Sequence, residues 1–244
     1  FRSPDPWQYS SAYEQEKYER QLSLLPERPI GEALELACAE GHFTRMLAPR
    51  VQRLIASDIS TTAVARAAER CSAQRNVEYR RLDFIADALP APLDLIVCSE
   101  VLYYLPDLDT LARLGERIAQ ALRPGGCLIT AHAYVVDDDR TTSGFDWGHP
   151  WGAKSISRVL AAVPQLALER SVCTPLYRID RFVRRDGTQP GAAEPIVETL
   201  PIHAELEHEV ARCIVWGGAL ATRTELAGRE HHRQIPVLMY HRIA

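Results

Sequence analysis

The chain has 244 residues, of which 46% are hydrophobic and 25% are charged, and its formal net charge is −4. This length suits one α/β domain with an appendage. The negative charge gives no general attraction to nucleic acid or anionic membranes, and no apolar run is long enough to span a bilayer, so we expect neither partner. The six cysteines are scattered without metal-ligand spacing, which favours a reducing, cytoplasmic location over a disulfide framework.

Aromatic and charged residues are interspersed through the first 29 residues. The stretch from Tyr13 to Tyr18 reads Tyr-Glu-Gln-Glu-Lys-Tyr and is predicted to be helical. The simplest interpretation is an amphipathic helix that covers one edge of the domain that follows.

An apolar run then leads into a tight turn. The strand containing Glu35 passes through Ala37 and Ala39 to Gly41, and a second predicted strand ends at Asp58. Such a turn lets a ligand approach the backbone, and a carboxylate beside it can accept hydrogen bonds from both ribose hydroxyls. The ligand alternatives are a dinucleotide and S-adenosylmethionine. The alanine methyl groups would crowd a pyrophosphate, so the turn favours S-adenosylmethionine.

Strand and helix patterns alternate beyond this turn. Strands are predicted at 76–82, 93–99 and 127–130, with a helix at 107–122 that ends at Arg-Pro-Gly-Gly, 123–126. The run 93–99 is almost continuously apolar, as expected for a strand buried on both faces. This order predicts a doubly wound, mostly parallel sheet.

The rest of the chain divides into a hairpin and an appendage. Strands predicted at 166–173 and 177–184 are joined by a short turn, and a linker composition follows at 187–191. Residues 204–230 have a helical pattern. The predicted divisions are an N-terminal cap at 1–29, a core at 30–186, a linker with a helical appendage at 187–233, and a separate strand at 234–244.

Several of these stretches resemble class I S-adenosylmethionine-dependent methyltransferases. The acid-x-small-x-small-x-Gly spacing of 35–41 is similar to their first motif, and Leu-Arg-Pro-Gly-Gly at 122–126 is very common in them before a strand. Ser-Glu-Val-Leu-Tyr-Tyr-Leu at 99–105 and Trp-Gly-His at 147–149 look like the nodulation protein S group. That group comprises methyltransferases that N-methylate a deacetylated chitooligosaccharide. The likeness covers roughly residues 5–185.

The resemblance implies a doubly wound, mostly parallel seven-stranded sheet with a closing antiparallel hairpin and helical appendages at both ends. It also implies that the N-terminal segment folds over the cofactor, that Asp83 meets the adenine amino group, and that Phe84 packs on the adenine ring. Ala37 departs from the family, which has glycine there, and its methyl group is expected to loosen cofactor binding. The residues expected to contact S-adenosylmethionine are Tyr13, Tyr18, Glu35, Ala37, Gly41, Phe43, Asp58, Ile59, Asp83, Phe84, Ser99 and Val101.

Methyl transfer to an amine requires a neutral nitrogen held in line with the methyl group, and neither a nucleophilic side chain nor a metal is needed. Glu100, directly after the fourth strand, and His149 are alternatives for the proton-accepting or amine-orienting role. Trp147 and Trp151 suit stacking on sugar faces. Tyr104 and His132 complete the expected acceptor site. The three acids at 137–139 are interpreted as a solvated turn rather than a metal site.

The C-terminal stretch 234–243 resembles the opening strand of polysaccharide deacetylases. Because the chain also begins at Phe1 rather than Met, we expect an excised domain whose next domain in the same polypeptide is a carbohydrate deacetylase. Deacetylation exposes an amine and N-methylation consumes one, so both resemblances point to one substrate class.

Three hypotheses on function follow. The first is methylation of an amino group on a deacetylated glycan or amino sugar. The second is O- or N-methylation of another small metabolite. The third is a non-catalytic scaffold domain, against which the acids at three strand ends, Asp58, Asp83 and Glu100, argue.

Overall fold

The computed structural model describes residue 5, residues 8–139, 144–186 and 194–202, and the backbone of residues 214–215. No helix in these ranges is both long enough and apolar enough to cross a membrane. The helices are α1 Ala12–Ser23, α2 His42–Leu47, α3 Thr61–Arg70, α4 Leu108–Ala121 and α5 Ala153–Ala161, with short 3-10 turns at Ala48–Arg50 and Leu102–Tyr104. The strands are β1 Glu32–Leu36, β2 Arg53–Asp58, β3 Val77–Arg81, β4 Leu93–Ser99, β5 Leu122–Ala133, β6 Gly144–Phe145, β7 Leu166–Cys173, β8 Tyr177–Arg184, β9 Ile196–Thr199 and β10 Ile214–Val215.

The main sheet has the strand order β3-β2-β1-β4-β5-β8-β7-β9. Strands β1 to β5 are parallel, and β8 runs antiparallel to both of its neighbours, β5 and β7. The predicted doubly wound, mostly parallel sheet is therefore confirmed. The chain leaves β1 on one side and returns to β4 on the other, so the topological switch point lies between the carboxyl ends of β1 and β4.

Both faces of the sheet are buried, as the continuous apolar runs indicate. On β1, Leu34 and Leu36 pack into the core cluster that contains the apolar residues of α4 and α5, whereas Ala33 packs into the cluster that contains Tyr13, Tyr18 and Phe43 from α1 and α2. Helices therefore cover both faces and leave the carboxyl ends of the strands as the edge where side chains converge.

The closing hairpin has the predicted bounds, with β7 at 166–173 and β8 at 177–184. Its turn is held by the Thr174 hydroxyl, which accepts from the backbone N–H groups of Leu176 and Tyr177 at 3.2 and 3.0 Å.

The prediction of seven strands is wrong within the described residues, and so is the prediction of a helix at residues 214–215. The main sheet has eight strands there, because β9 adds in parallel to β7 at the edge. Strand β9 reads Ile-Val-Glu-Thr, three of whose residues are β-branched and suit a strand, and Glu198 pairs with Arg170 across it at 2.6 Å. Strand β10 falls within 204–230, which was predicted to be helical, and pairs antiparallel with β6.

Strand β5 is longer than predicted. Residues 123–126, predicted to be a break, belong to it, and Leu122 at its start pairs with Leu93 before a register irregularity. The Arg123 guanidinium lies 2.7 Å from the Asp94 carboxylate, which ties this irregular stretch to the beginning of β4. The Pro-Gly-Gly sequence is thus accommodated by a bulge rather than a loop.

Candidate active site

The predicted turn after β1 folds with alternate residues in the left-handed region. The backbone φ angles are 57° at Ala37, 48° at Ala39 and 80° at Gly41. This is the conformation that favours glycine, so both alanines hold a strained backbone. At Gly41 a side chain is also excluded by space, because a Cβ would lie 2.9 Å from the Ala67 Cα atom and 3.1 Å from the Cys71 sulfur.

Asp58 ends β2 beside this turn and is 1% exposed. Its Oδ2 atom accepts from the Ala39 N–H at 3.0 Å and its Oδ1 atom accepts from the Ser60 N–H at 2.8 Å. Burial raises the pKa of Asp58 to about 6, although these backbone donors oppose the shift. The turn and the carboxylate are therefore one hydrogen-bonded unit, and each Asp58 oxygen retains a lone pair for a ligand hydroxyl. Ile59 follows directly and is half-buried.

Glu35 lies inside β1 and is 4% exposed. Burial, reinforced by the nearby Asp58 carboxylate, raises the pKa of Glu35 to about 8. Its Oε2 atom is buried and has no hydrogen-bond partner within the described ranges. Glu35 is thus a neutral acid at pH 7 with an unsatisfied polar atom next to the turn, which fits a site built for a polar ligand.

The segment after β3 is fixed by backbone contacts. The Asp83 Oδ1 atom accepts from the Ile85 N–H at 2.9 Å, and the Arg117 guanidinium donates to the carbonyl oxygens of Phe84 and Ile85 at 2.8 Å. The Phe84 side chain is 3% exposed and belongs to the apolar core. The roles of Asp83 and Phe84 at an adenine ring stay predictions.

Glu100 lies directly after β4, with a φ angle of 50°. Its Oε1 atom lies 2.8 Å from the Lys17 ammonium, and its Oε2 atom accepts from the Tyr103 hydroxyl at 2.8 Å and from the Ala133 N–H at 3.3 Å. Burial opposes ionisation of Glu100, but the Lys17 charge, the nearby His132 and the hydrogen bonds from Lys17 and Tyr103 together outweigh it and hold the pKa of Glu100 below its usual range. Glu100 is therefore an anion at neutral pH, and the left-handed backbone is a strain of the kind that clusters at functional sites.

Helix α1 lies against this end of β4. The Ser99 hydroxyl donates to the Gln21 side-chain oxygen at 2.6 Å, and Gln21 is fully buried. Tyr18 lies against Phe43 of α2, with ring centroids 5.3 Å apart, and Val101 is 1% exposed. The structure thus places Tyr18 of the predicted cap against α2, and Gln21 of the same helix against the end of β4.

Five rings form an aromatic cluster beside Glu100: Tyr103, Tyr104, Phe145, Trp147 and His149. The His149 ring centroid lies 5.1 Å from that of Tyr103 and 4.9 Å from that of Tyr104. Trp147 stacks on Phe145 at 4.4 Å. Tyr104, Trp147 and His149 are half-buried, so parts of their rings face solvent.

Burial lowers the pKa of His149, so its imidazole is neutral at pH 7 and can accept a proton. Tyr13 joins the other side of this cluster, with its ring centroid 6.4 Å from that of Phe145. Trp151 is half-buried against the α4–α5 core, and its Nε1 atom has no partner in the described part of the chain.

His132 has a contact that the sequence did not suggest. It is 1% exposed, and its Nε2 atom accepts from the Leu102 N–H at 3.2 Å. Burial lowers the pKa of His132 to about 4, so the ring is neutral and supports the 102–104 turn that carries Tyr103 and Tyr104. A direct contact of His132 with an acceptor stays a prediction.

The acids at 137–139 have protein partners rather than a metal arrangement. The Asp138 carboxylate accepts from the Ser155 N–H at 3.0 Å and from its hydroxyl at 2.5 Å, and Asp139 pairs with Lys154. Among the described residues, no group of three histidine, cysteine, aspartate or glutamate side chains is placed to hold a metal ion.

The sequence pattern did not indicate Lys17, Gln21, Tyr103 or Tyr9 as site residues. Lys17 lies four residues after Tyr13 and four before Gln21, so the three side chains share the buried face of α1. A lysine on a buried face requires a partner of opposite charge, and this spacing was the signal that could have identified Lys17. Tyr9 lies with its ring centroid 5.4 Å from that of His42. Burial raises the pKa of Tyr9, and the neighbouring Tyr18 and Asp58 add to the shift.

The chain is similar in sequence to proteins of known family. The family model described as nodulation protein S (NodS) matches residues 1–194. Nodulation protein S of Sinorhizobium fredii strain NGR234 is 33% identical over 171 residues, which covers 69% of this chain and 76% of that protein. The Bradyrhizobium diazoefficiens strain USDA 110 protein of the same name is 32% identical over 191 residues, covering 78% and 88%.

A solved structure is also similar. The N-methyltransferase NodS from Bradyrhizobium japonicum WM9, in complex with S-adenosyl-L-homocysteine, superposes with a TM-score of 0.67 and 29% identity, covering 75% of this chain and 94% of that one. The left-handed turn, the buried Asp58 carboxylate and the unsatisfied Glu35 oxygen fit the same cofactor here. On the family match and this agreement of fold, the chain belongs to the NodS family and is an S-adenosylmethionine-dependent methyltransferase.

Proposed function

We propose that this protein transfers a methyl group from S-adenosylmethionine to an amino nitrogen of an amino sugar or deacetylated oligosaccharide. The observation that carries the proposal is the Glu100 carboxylate, held as an anion beside half-exposed aromatic rings at the end of β4. The similar Bradyrhizobium japonicum protein, described as an N-methyltransferase, supports the same chemistry. Membership of an enzyme family argues against the scaffold alternative.

On the cofactor side, Asp58 would accept the ribose hydroxyls, since its two oxygens are already oriented by backbone N–H donors. Asp83 would accept from the adenine amino group. Bound S-adenosylmethionine supplies an electrophilic methyl group on a sulfonium sulfur. The other residues proposed to line this part of the site are Tyr13, Tyr18, Glu35, Ala37, Gly41, Phe43, Ile59, Phe84, Ser99 and Val101.

On the acceptor side, Glu100 would attract and orient the amine rather than remove its proton. A carboxylate whose pKa lies below its usual range is a weak base at neutral pH. The anion nevertheless favours a cationic ligand, and a charge-assisted hydrogen bond would place the nitrogen. Of the proton-accepting and amine-orienting roles, Glu100 therefore has the amine-orienting one.

His149 would then receive the proton. Its imidazole is half-buried and neutral at pH 7, and it contacts Tyr103, whose hydroxyl donates to Glu100. Trp147, Tyr104 and Trp151 would offer ring faces to the sugar, which binds aromatic rings through its C–H faces. Deprotonation would leave a nitrogen lone pair, which these residues would hold toward the methyl group that S-adenosylmethionine supplies.

A matched pair of acceptors tests this proposal. Chitooligosaccharides of one length, fully N-acetylated or with a free amine, are incubated with S-adenosylmethionine and the protein, and the masses of the products are measured by mass spectrometry. We expect a methyl increment on the free-amine oligosaccharide alone, since an amide lone pair is delocalised into its carbonyl. Equal methylation of both would favour a hydroxyl acceptor and refute the amine assignment.

Variants then test the assigned residues. Glu100→Gln and His149→Ala are expected to lower turnover of the free-amine acceptor while leaving the affinity for S-adenosylhomocysteine within about threefold, a difference of less than 1 kcal/mol. Arg113→Gln, at a residue whose guanidinium donates to Thr110 on α4, is a control away from the strand ends. Loss of cofactor binding in both site variants would move Glu100 and His149 out of the acceptor site.

A downstream deacetylase domain and a cytoplasmic location remain proposals. Residues 234–244 lie outside the described residues, and the family match ends at residue 194. The support for the deacetylase domain is the resemblance of 234–243 to a deacetylase opening strand. Expression of the natural gene product and an assay for release of acetate from chitooligosaccharides would test it.

A further inference from the structure

Lys17 is an unusual residue in this chain. The sequence contains 26 arginines and two lysines, Lys17 and Lys154. Lys154 is exposed, whereas Lys17 is 1% exposed, although lysine is among the residues that are least often buried. A buried ammonium requires nearby negative charge to offset the loss of hydration.

The surroundings of Lys17 supply that charge from two elements. Its Nζ atom lies 2.8 Å from an oxygen of Glu14, one turn earlier on α1, and 2.8 Å from an oxygen of Glu100, which is 83 residues away in sequence. The Tyr13 ring centroid lies 5.0 Å from Nζ and that of Tyr177 lies 6.0 Å from it, within the range of cation–π attraction.

The two paired side chains differ in their exposure to solvent. The Glu100 side chain is 23% exposed, whereas that of Lys17 is 2% exposed. The carboxylate is therefore the partner that solvent or a ligand reaches, and the ammonium is the buried one. Tyr103 and the Ala133 N–H hold the other Glu100 oxygen, so the orientation of the carboxylate is fixed from three sides.

We propose that Lys17 is a positioning residue for methyl transfer: from α1 it holds the Glu100 carboxylate ionised and aimed at a cationic acceptor. The acceptor part of this inference rests on the proposed function. It follows that recognition of the acceptor depends on the seating of α1, because the cation that prepares Glu100 comes from that helix. When Glu14 and Glu100 are both ionised, the three groups have a net charge of −1, which an ammonium acceptor neutralises and a hydroxyl acceptor does not.

Lys17→Met tests the proposal, with Lys17→Arg as the charge-keeping variant and Lys154→Met as the matched control on the chain's other lysine. The titratable and charged groups that interact with Glu100 are Tyr13, Glu14, Lys17 and Tyr18 of α1, His132 of β5, and Tyr103 and Tyr104. Removal of an opposite charge within hydrogen-bond distance raises a carboxyl pKa by about one to three units. We therefore expect the low-pH limb of kcat/KM to move upward by that amount in Lys17→Met, to move back toward wild type in Lys17→Arg, and to be unchanged in Lys154→Met.

A second measurement makes the test independent of the acceptor. The pKa of Glu100 is read by NMR from protein labelled with ¹³C at the glutamate side-chain carboxyls, assigned with Glu100→Gln, and compared between wild type and Lys17→Met. Should Lys17→Met fail to fold, as judged by its melting curve and by S-adenosylhomocysteine binding, Glu14→Gln/Lys17→Met takes its place. The double variant also removes the Glu14 carboxylate, so that only Glu100 is left without its cation.

The outcomes separate the two proposals. The kinetics use whichever acceptor the wild-type protein methylates. A raised Glu100 pKa in Lys17→Met supports the positioning role, even where the acceptor proves to be a hydroxyl and the proposed function fails. An unchanged Glu100 pKa together with an unchanged pH profile would overturn the positioning role, even where the protein methylates amines.

Discussion

Cofactor binding should weaken as the pH falls through 6, because Asp58 must be ionised to accept hydrogen bonds from both ribose hydroxyls. Asp58 is almost fully buried, and burial raises its pKa to about 6. At pH 5 about one molecule in eleven then has an ionised Asp58 before the ligand binds. We therefore expect the affinity for S-adenosylhomocysteine to be about tenfold lower at pH 5 than at pH 8.

Isothermal titration calorimetry measures this directly. The dissociation constant is determined between pH 5 and pH 8, and at pH 6 in two buffers that differ in ionisation enthalpy. Ribose donors favour the ionised carboxylate, so binding at pH 6 should release part of a proton. Asp58→Asn should remove the proton release and weaken binding by more than about tenfold, since hydrogen bonds to a charged acceptor contribute about 1.5–3 kcal/mol.

Glu35→Gln is the companion variant within the same site, because Glu35 lies beside Asp58 but is already neutral at pH 7 with its pKa of about 8. An amide of the same shape should bind the ligand within about threefold of wild type, a difference of less than 1 kcal/mol. A dissociation constant that does not change between pH 5 and pH 8, with wild-type affinity in Asp58→Asn, would refute the ribose role and the reasoning from burial.

Three further results are expected. Because Ala37 holds a left-handed backbone, Ala37→Gly should raise the free energy of unfolding by about 0.5–1 kcal/mol in urea titrations. Gly41→Ala should lower the free energy of unfolding by at least about 1 kcal/mol. The opposite order of stabilities would contradict the strain argument. The raised pKa of Glu35 means that its stabilising contribution is fully present below pH 4.5 and is lost as the pH rises through 8, so Glu35→Gln should be more stable than wild type at pH 9 but not at pH 5. Trp147→Ala should raise KM for an oligosaccharide acceptor with little change in cofactor affinity; an unchanged KM would remove Trp147 from sugar binding.

Local patterns made much of the sheet predictable. Strand β4 and both hairpin strands were predicted with their observed bounds, because uninterrupted apolar runs and clear turn residues define them. The turn after β1 was also predictable, since the spacing from Glu35 to Gly41 requires small residues. That Ala37 keeps the left-handed backbone of the glycine it replaces was not predictable, because the backbone is held by tertiary contacts such as the Ala39–Asp58 hydrogen bond.

The acceptor side was harder to predict. Glu100 was selected from its place after β4, but its partner Lys17 is 83 residues earlier, and a single sequence does not report such a pairing. His132 was selected for its position at the end of β5, yet tertiary packing buries it and gives its Nε2 atom a backbone donor. The bulge in β5 depends likewise on the non-local contact between Arg123 and Asp94.

The position of the transferred methyl group tests the central claim most directly. The protein is supplied with S-adenosylmethionine labelled with ¹³C in the methyl group and with a chitooligosaccharide that has one free amine, and the product is examined by ¹H–¹³C correlation NMR. The account predicts a labelled methyl group bonded to nitrogen, with long-range couplings to C2 of the deacetylated sugar. A labelled methyl group on a sugar oxygen, or no label on the oligosaccharide while S-adenosylmethionine binds normally, would contradict it.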